Sequence, residues 1–182
     1  MRYLFESPKK VVAPKPKNMA SSITEKVLEI RKESIKRSMG DFNSMSHRQH
    51  YIDTIEGVSY YDDSQAECVN ATWFTFENIL QPVVWIVGGS CHTNYSELIE
   101  TAKRKVKAIV SLGNEKENIE MTFKGVVNEI YEASDIAEAV RVASIIADEN
   151  DFVVFSPACK DQEMSFEARG NTFVNAVKQL NN

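Results

Sequence analysis

The 182-residue sequence is short of several residue types, and each shortage removes a class of function. Its three cysteines, Cys68, Cys91 and Cys159, are odd in number and far apart, which argues against a disulfide framework. With His92 added, their spacing still fits no zinc finger or ribbon. No apolar run approaches the roughly 20 residues of a membrane span. The stretch from Met1 to Ala20 has lysines and prolines but no apolar signal segment, so a cytoplasmic chain is expected, without a membrane partner. Lysine and arginine total 21 against 26 acidic residues, a net charge of −5, which leaves no basic excess for nucleic acid. What is present is a 43% hydrophobic content, enough for a packed core of one domain.

Pro8, Pro14 and Pro16 stand among lysines, so residues 1–20 are expected to form a flexible tail. Ile23, Val27, Leu28, Ile30 and Ile35 make one apolar stripe, and Gly40 is a natural stop. A helix is therefore expected over 22–39, within an N-terminal helix-and-linker segment at 21–45. Two short strands, Tyr51–Ile55 and Val58–Tyr61, are joined at Glu56-Gly57, a hairpin signal. From there strands and helices alternate: helix 66–80, strand 83–87, helix 95–104, strand 108–112, helix 115–123, strand 126–130, helix 134–148, strand 152–155 and helix 164–180. This order predicts an α/β fold, a Rossmann-like and mostly parallel sheet over 46–182, with helices on both faces and the hairpin at the sheet edge. Ligands of such sheets bind beyond the carboxyl ends of the strands. Three loops lie there: Asp62–Cys68, Gly88–Tyr95 and Ser156–Gln162.

The same loops carry a family likeness. Asp63-Ser64-Gln65-Ala66-Glu67-Cys68, Gly88-Gly89, Ser156-Pro157-Ala158-Cys159 and Phe166-Glu167-Ala168-Arg169-Gly170, with His47-Arg48 ahead of the hairpin, resemble the C-terminal domain of the Mur ligases. These ATP-dependent enzymes add amino acids to the peptidoglycan precursor, and the D-glutamate-adding members are the nearest in pattern. The resemblance implies a binding site made of Arg48, Asp63, Ser64, Gln65, Glu67, Gly88, Gly89, His92, Ser156 and Cys159. It also shows that site to be altered. The family motif Asn-Asp-Ser-Lys-Ala-Thr-Asn has its lysine replaced by Gln65 and its Thr-Asn by Glu67-Cys68. A second family lysine falls at His92, which puts an imidazole where the family has a permanent cation. The third loop, about two residues shorter than the family pattern, lacks the serine that contacts the amino-acid carboxylate. Charged contacts of this kind are worth ~1.5–3 kcal/mol each, so their joint loss should abolish useful D-glutamate affinity.

The family binds ATP and magnesium through a Gly-Lys-Thr or Gly-Lys-Ser phosphate loop in a separate domain. None of the seven glycines here precedes such a pair, so no cofactor and no catalytic residue are expected of this chain. The expectation is a stand-alone, non-catalytic domain acting by binding in peptidoglycan precursor metabolism, its partner a wall-synthesis ligase or a second copy. The alternative is an amino-acid-binding component working in trans with a separate ATP-binding domain. Plainer readings stand beside these. His47-Arg48 can anchor the chain to the sheet. Asp63-Ser64 can form a strand-end turn and helix cap, and Gly88-Gly89 a tight turn. Cys159 can be a small buried residue, and Trp73, Phe74 and Phe76 core rather than a stacking platform.

Overall fold

The computed structural model describes residues 26–27, 29–30, 32–34 and 46–181. The chain divides into two units, Met1–Arg37 and Ser38–Asn182. In the first, the described residues are helical; the expected tail and the rest of the expected helix and linker lie outside the described residues. The second unit contains the sheet.

β1 (His50–Ile55) and β2 (Val58–Asp62) form the antiparallel hairpin. Both turn residues, Glu56 and Gly57, have positive φ, of 50° and 79°, which matches the twist of the flanking strands. The register of β1 on β2 slips between Tyr51 and Asp53. Then follow α1 (Val69–Glu77), β3 (Val83–Gly89), a 3-10 turn running into α2 (Ile99–Lys105), β4 (Val106–Gly113), α3 (Lys116–Phe123), β5 (Glu129–Glu132), α4 (Ile136–Ile146), β6 (Phe152–Phe155) and α5 (Phe166–Gln179). The sheet order is β1-β2-β6-β3-β4-β5, with every pairing except β1–β2 parallel.

Covering on both faces explains the unbroken apolar run of β3, whose first five residues are fully buried. On one face Val84, Ile86, Val110, Val153 and Phe155 pack with Ala139, Val140 and Ala143 of α4 and Phe173 and Val177 of α5. On the other, Trp85 meets Phe76 of α1 and Phe123 of α3 edge-on. Trp73 and Phe74 are buried too, so the aromatic run of α1 belongs to the core. Asp135 caps α4 by accepting the Glu138 N–H, and Ser165 caps α5 by accepting that of Ala168. Because β6 inserts between β2 and β3, chain order reverses there. The crevice between the β3 and β6 loops is thus the switch point at which such sheets place ligands.

One strand sits later than the sequence suggests. Val126 and Val127 lie before β5, not in it; Val127 is buried through a turn and one isolated bridge to Lys124. Helix α1 is shorter than expected because residues 63–68 form a turn ahead of it.

Candidate functional site

The three strand-end loops meet around two buried ionic groups. The first is Asp63, fully buried. Its carboxylate lies 3.1 Å from Arg48 Nη1 and accepts the hydroxyls of Thr75 and Ser156, both at 2.7 Å, and the Gln49 N–H at 3.2 Å. Ser156 Oγ in turn lies 2.7 Å from Thr72 Oγ1, and Arg48 Nη2 donates to the Ala71 carbonyl. One carboxylate therefore joins the turn before β1, helix α1 and the loop after β6. Burial pushes the Asp63 pKa up to about 6, against the opposing pull of Arg48 and of the donors from Thr75, Ser156 and Gln49.

A raised carboxyl pKa carries a definite sign. The stability this group contributes is full below the ordinary carboxylate range near 3.8 and is lost as pH rises through about 6. The stability difference between wild type and Asp63→Asn is expected to shrink between pH 4 and pH 6.5 and stay level above. Urea titrations of both proteins across that range check it.

The second group is Arg169 of α5, 2% exposed. Its Nε and Nη2 donate to the Ser64 carbonyl, at 3.1 and 2.6 Å, and its Nη1 and Nη2 to the Cys159 carbonyl, at 3.1 and 3.2 Å. The guanidinium thus spends its donors clamping the first loop to the third. Next to it, Gly170 makes room for three polar side chains. A Cβ built there would stand 2.3 Å from His47 Nδ1, 2.4 Å from Ser64 Oγ and 2.8 Å from Asp62 Oδ2. His47 Nδ1 and Asp62 Oδ2 are themselves 2.6 Å apart. This serine, histidine and aspartate do not form a nucleophilic triad, since Ser64 Oγ has no hydrogen-bond partner among the described residues.

The second loop starts at Gly88-Gly89, both with positive φ. A Cβ at Gly89 would stand 2.3 Å from Asp161 Oδ2, so the β3 backbone can approach the third loop only with glycine here. Asp161 accepts the N–H groups of Ser90, Glu163 and Met164 at 2.8–2.9 Å. Burial would raise its pKa, but these donors hold it below the ordinary value. His92 is exposed, its Nδ1 3.2 Å from Glu115, which is buried and also accepts from Thr93 and Asn118.

Between the loops and α4 lies a cavity of about 450 Å³. Gly88, Gly89, Leu112 and Phe155 line it together with Asp135, Asp161 and Glu163; among the described residues Arg169 is the one cation in the lining.

Comparison with known proteins fits this geometry. No family model matches the sequence. The chain is 38% identical over 165 residues to the UDP-N-acetylmuramoylalanine–D-glutamate ligase of Christiangramia forsetii, an alignment covering 89% of this chain and 37% of that enzyme. It is 33% identical over 165 residues to the enzyme of the same name from Porphyromonas gingivalis, with the same coverage. The chain is a homologue of the Mur ligase C-terminal domain. It spans little more than a third of the length of these relatives. A murein peptide ligase from Psychrobacter arcticus superposes with a TM-score of 0.54 at 13% identity, over 78% of this chain and 32% of that one, a likeness of fold.

Within this Mur-type domain the motif residues fall into two sets. Arg48, Asp63, Ser64, Ser156 and Cys159 are interior, with Arg48 the most open of them at 5%. Gly88 is buried as well; Gln65, Glu67 and Gly89 are half-buried and His92 is exposed. Two atoms of the first loop, Ser64 Oγ and Gln65 Oε1, are buried without a hydrogen-bond partner among the described residues.

One expectation is overturned. Cys91 and Cys159 form a disulfide, and Cys68 is free and exposed. Their 68-residue separation hid the pair, because parallel neighbours β3 and β6 place their following loops side by side. Cys159 is also the small buried residue expected. Sequence reasoning missed Arg169 and Asp161 as well. Only the Arg-Gly pair at 169–170 hinted at the first, and nothing pointed to the second.

Proposed function

We infer that this Mur-type domain acts by binding, without catalytic groups of its own, in cytoplasmic peptidoglycan precursor metabolism, and that its ligand is not a dicarboxylic amino acid. The observation carrying this reading is the charge around the strand-end cavity. Asp135, Asp161 and Glu163 line it, while Arg169 is buried and committed to two carbonyls. An anion entering there meets like charge and, among the described residues, finds no free cation in the lining. The lining suits a triphosphate no better: the N-terminus of α4 is occupied by Asp135, and Glu138 is turned back onto Ser134. No step through ATP is therefore assigned to these residues. A wall-synthesis ligase, or a second copy of the chain, is the partner this reading favours.

Calorimetric titration with D-glutamate tests it. No heat of binding is expected at millimolar ligand; saturable binding overturns the reading. The acidic lining also favours a second reading, an amino-acid-binding component that serves a separate ATP-binding domain and takes an amine-bearing side chain. Glu67, whose charge acts on Arg169, is its candidate contact. In the same calorimeter, a basic amino acid that binds wild type and not Glu67→Ala supports this second reading.

A further inference from the structure

We propose that Cys91 and Cys159 form a redox latch across the strand-end crevice: the disulfide holds the crevice closed, and its reduction releases the loop after β3. The bond does not tie the strands together, because β3 and β6 are already paired in register from Val83–Phe152 to Ile86–Phe155. What it ties is two loops beyond those strands, with sulfurs only 3% and 2% exposed by residue. The same two loops supply opposite walls of the cavity, Gly88, Gly89 and Ser90 from one and Asp161, Glu163 and Met164 from the other.

With the bond cut, little else spans the gap. Ser90 N–H donates to Asp161 Oδ2 at 2.9 Å, Gln162 N–H to the Ser90 carbonyl at 2.9 Å and, nearer the strands, Gly88 N–H to the Pro157 carbonyl at 3.3 Å. Cys91 N–H goes to Asn114, off the far side of the crevice. His92, next along the loop, is exposed beside Glu115, and Thr93 bonds to Glu115 and Asn118, so polar ties to the start of α3 hold this segment and no apolar anchor follows Cys91 until Tyr95. Three hydrogen bonds, two of them at the rim of a solvent-facing crevice, make a weak hinge, and local opening of the rim is the expected response.

The exchange balances with a thiol reductant. A thiolate of the reagent attacks one protein sulfur and displaces the other as thiolate; a second reagent thiol resolves the mixed disulfide. The protein gains two electrons and its sulfurs take up two protons, while the reagent loses both and ends as its own disulfide. The reverse reaction, with a small-molecule disulfide as oxidant, closes the latch.

The test uses the whole chain in oxidised and dithiothreitol-reduced form. Alkylation after denaturation without reductant should label only Cys68, and after native reduction all three cysteines. Amide hydrogen exchange, followed by mass spectrometry, should then rise about tenfold or more in peptides covering 88–95 and 156–163, with the β3 and β6 cores unchanged. The Cys91→Ser chain should match the reduced form without any reductant. Labelling of all three cysteines in the oxidised protein overturns the bond itself. Unchanged exchange in both loops after full reduction overturns the latch and leaves a passive staple. Neither readout needs a ligand, so failure here leaves the binding reading above intact.

Discussion

Asp63→Ala is expected to cost about 3–5 kcal/mol of folding stability, read as a fall in the urea midpoint at unchanged slope. The magnitude comes from what stays behind. Arg48, 5% exposed, keeps its charge and loses the Asp63 carboxylate at 3.1 Å. The Thr75 and Ser156 hydroxyls and the Gln49 N–H lose their acceptor in the same step. A buried ion pair adds little net stability, and the raised pKa of Asp63 reflects that; removing one member still costs more than the pair gains. Asp63→Asn, which keeps the shape and one acceptor oxygen, should lose clearly less. If Asp63→Ala falls by under about 1 kcal/mol, as for an ordinary surface change, the carboxylate is not the tie between these elements that its contacts describe.

Gly170→Ala is expected to destabilise by about 1–3 kcal/mol, although propensity alone predicts a gain of about 1 kcal/mol inside a helix. Gly170 lies within α5 at an ordinary helical φ, so the backbone does not require glycine. The neighbours do. A methyl group would press on His47 Nδ1, Ser64 Oγ and Asp62 Oδ2 at 2.3–2.8 Å, and Ser64 and Asp62 have no exposed surface into which to retreat. Yielding would break the 2.6 Å contact between His47 and Asp62. Asn175→Ala on the exposed side of the same helix separates the two effects, since it changes propensity without the contact and should stay within about 0.5 kcal/mol of wild type or gain slightly. Equal behaviour of the two variants in urea would show that the space around Gly170 yields freely.

The sheet was legible because its strands are buried on both faces, so Val83–Val87 announces itself as an apolar run and α4 as a period of 3.6. The strand at Glu129–Glu132 was not. Two of its four residues are glutamates at a thinly covered margin, while nearby Val127 is buried without joining the ladder. At the site, the motif named three loops that the fold does bring side by side, but it did not show the direction of their side chains. Asp63 and Ser156 resemble ligand contacts in the linear pattern, yet their nearest partners are one another, Arg48 and two threonines. The disulfide and the Arg169 clamp join residues 68 and 105 positions apart, a proximity that arises only when β6 inserts beside β3.

The slipped register within β1 and the brevity of β5 bear on how this molecule behaves at high concentration. A free strand margin recruits foreign chains when it is long, flat and apolar. Here one margin is kinked at Tyr51–Asp53 and the other is four residues long with a glutamate at each end. Both are poor templates for added strands, so concentrated solutions should resist fibrous, edge-joined growth even though the sheet between them is among the most apolar parts of the chain.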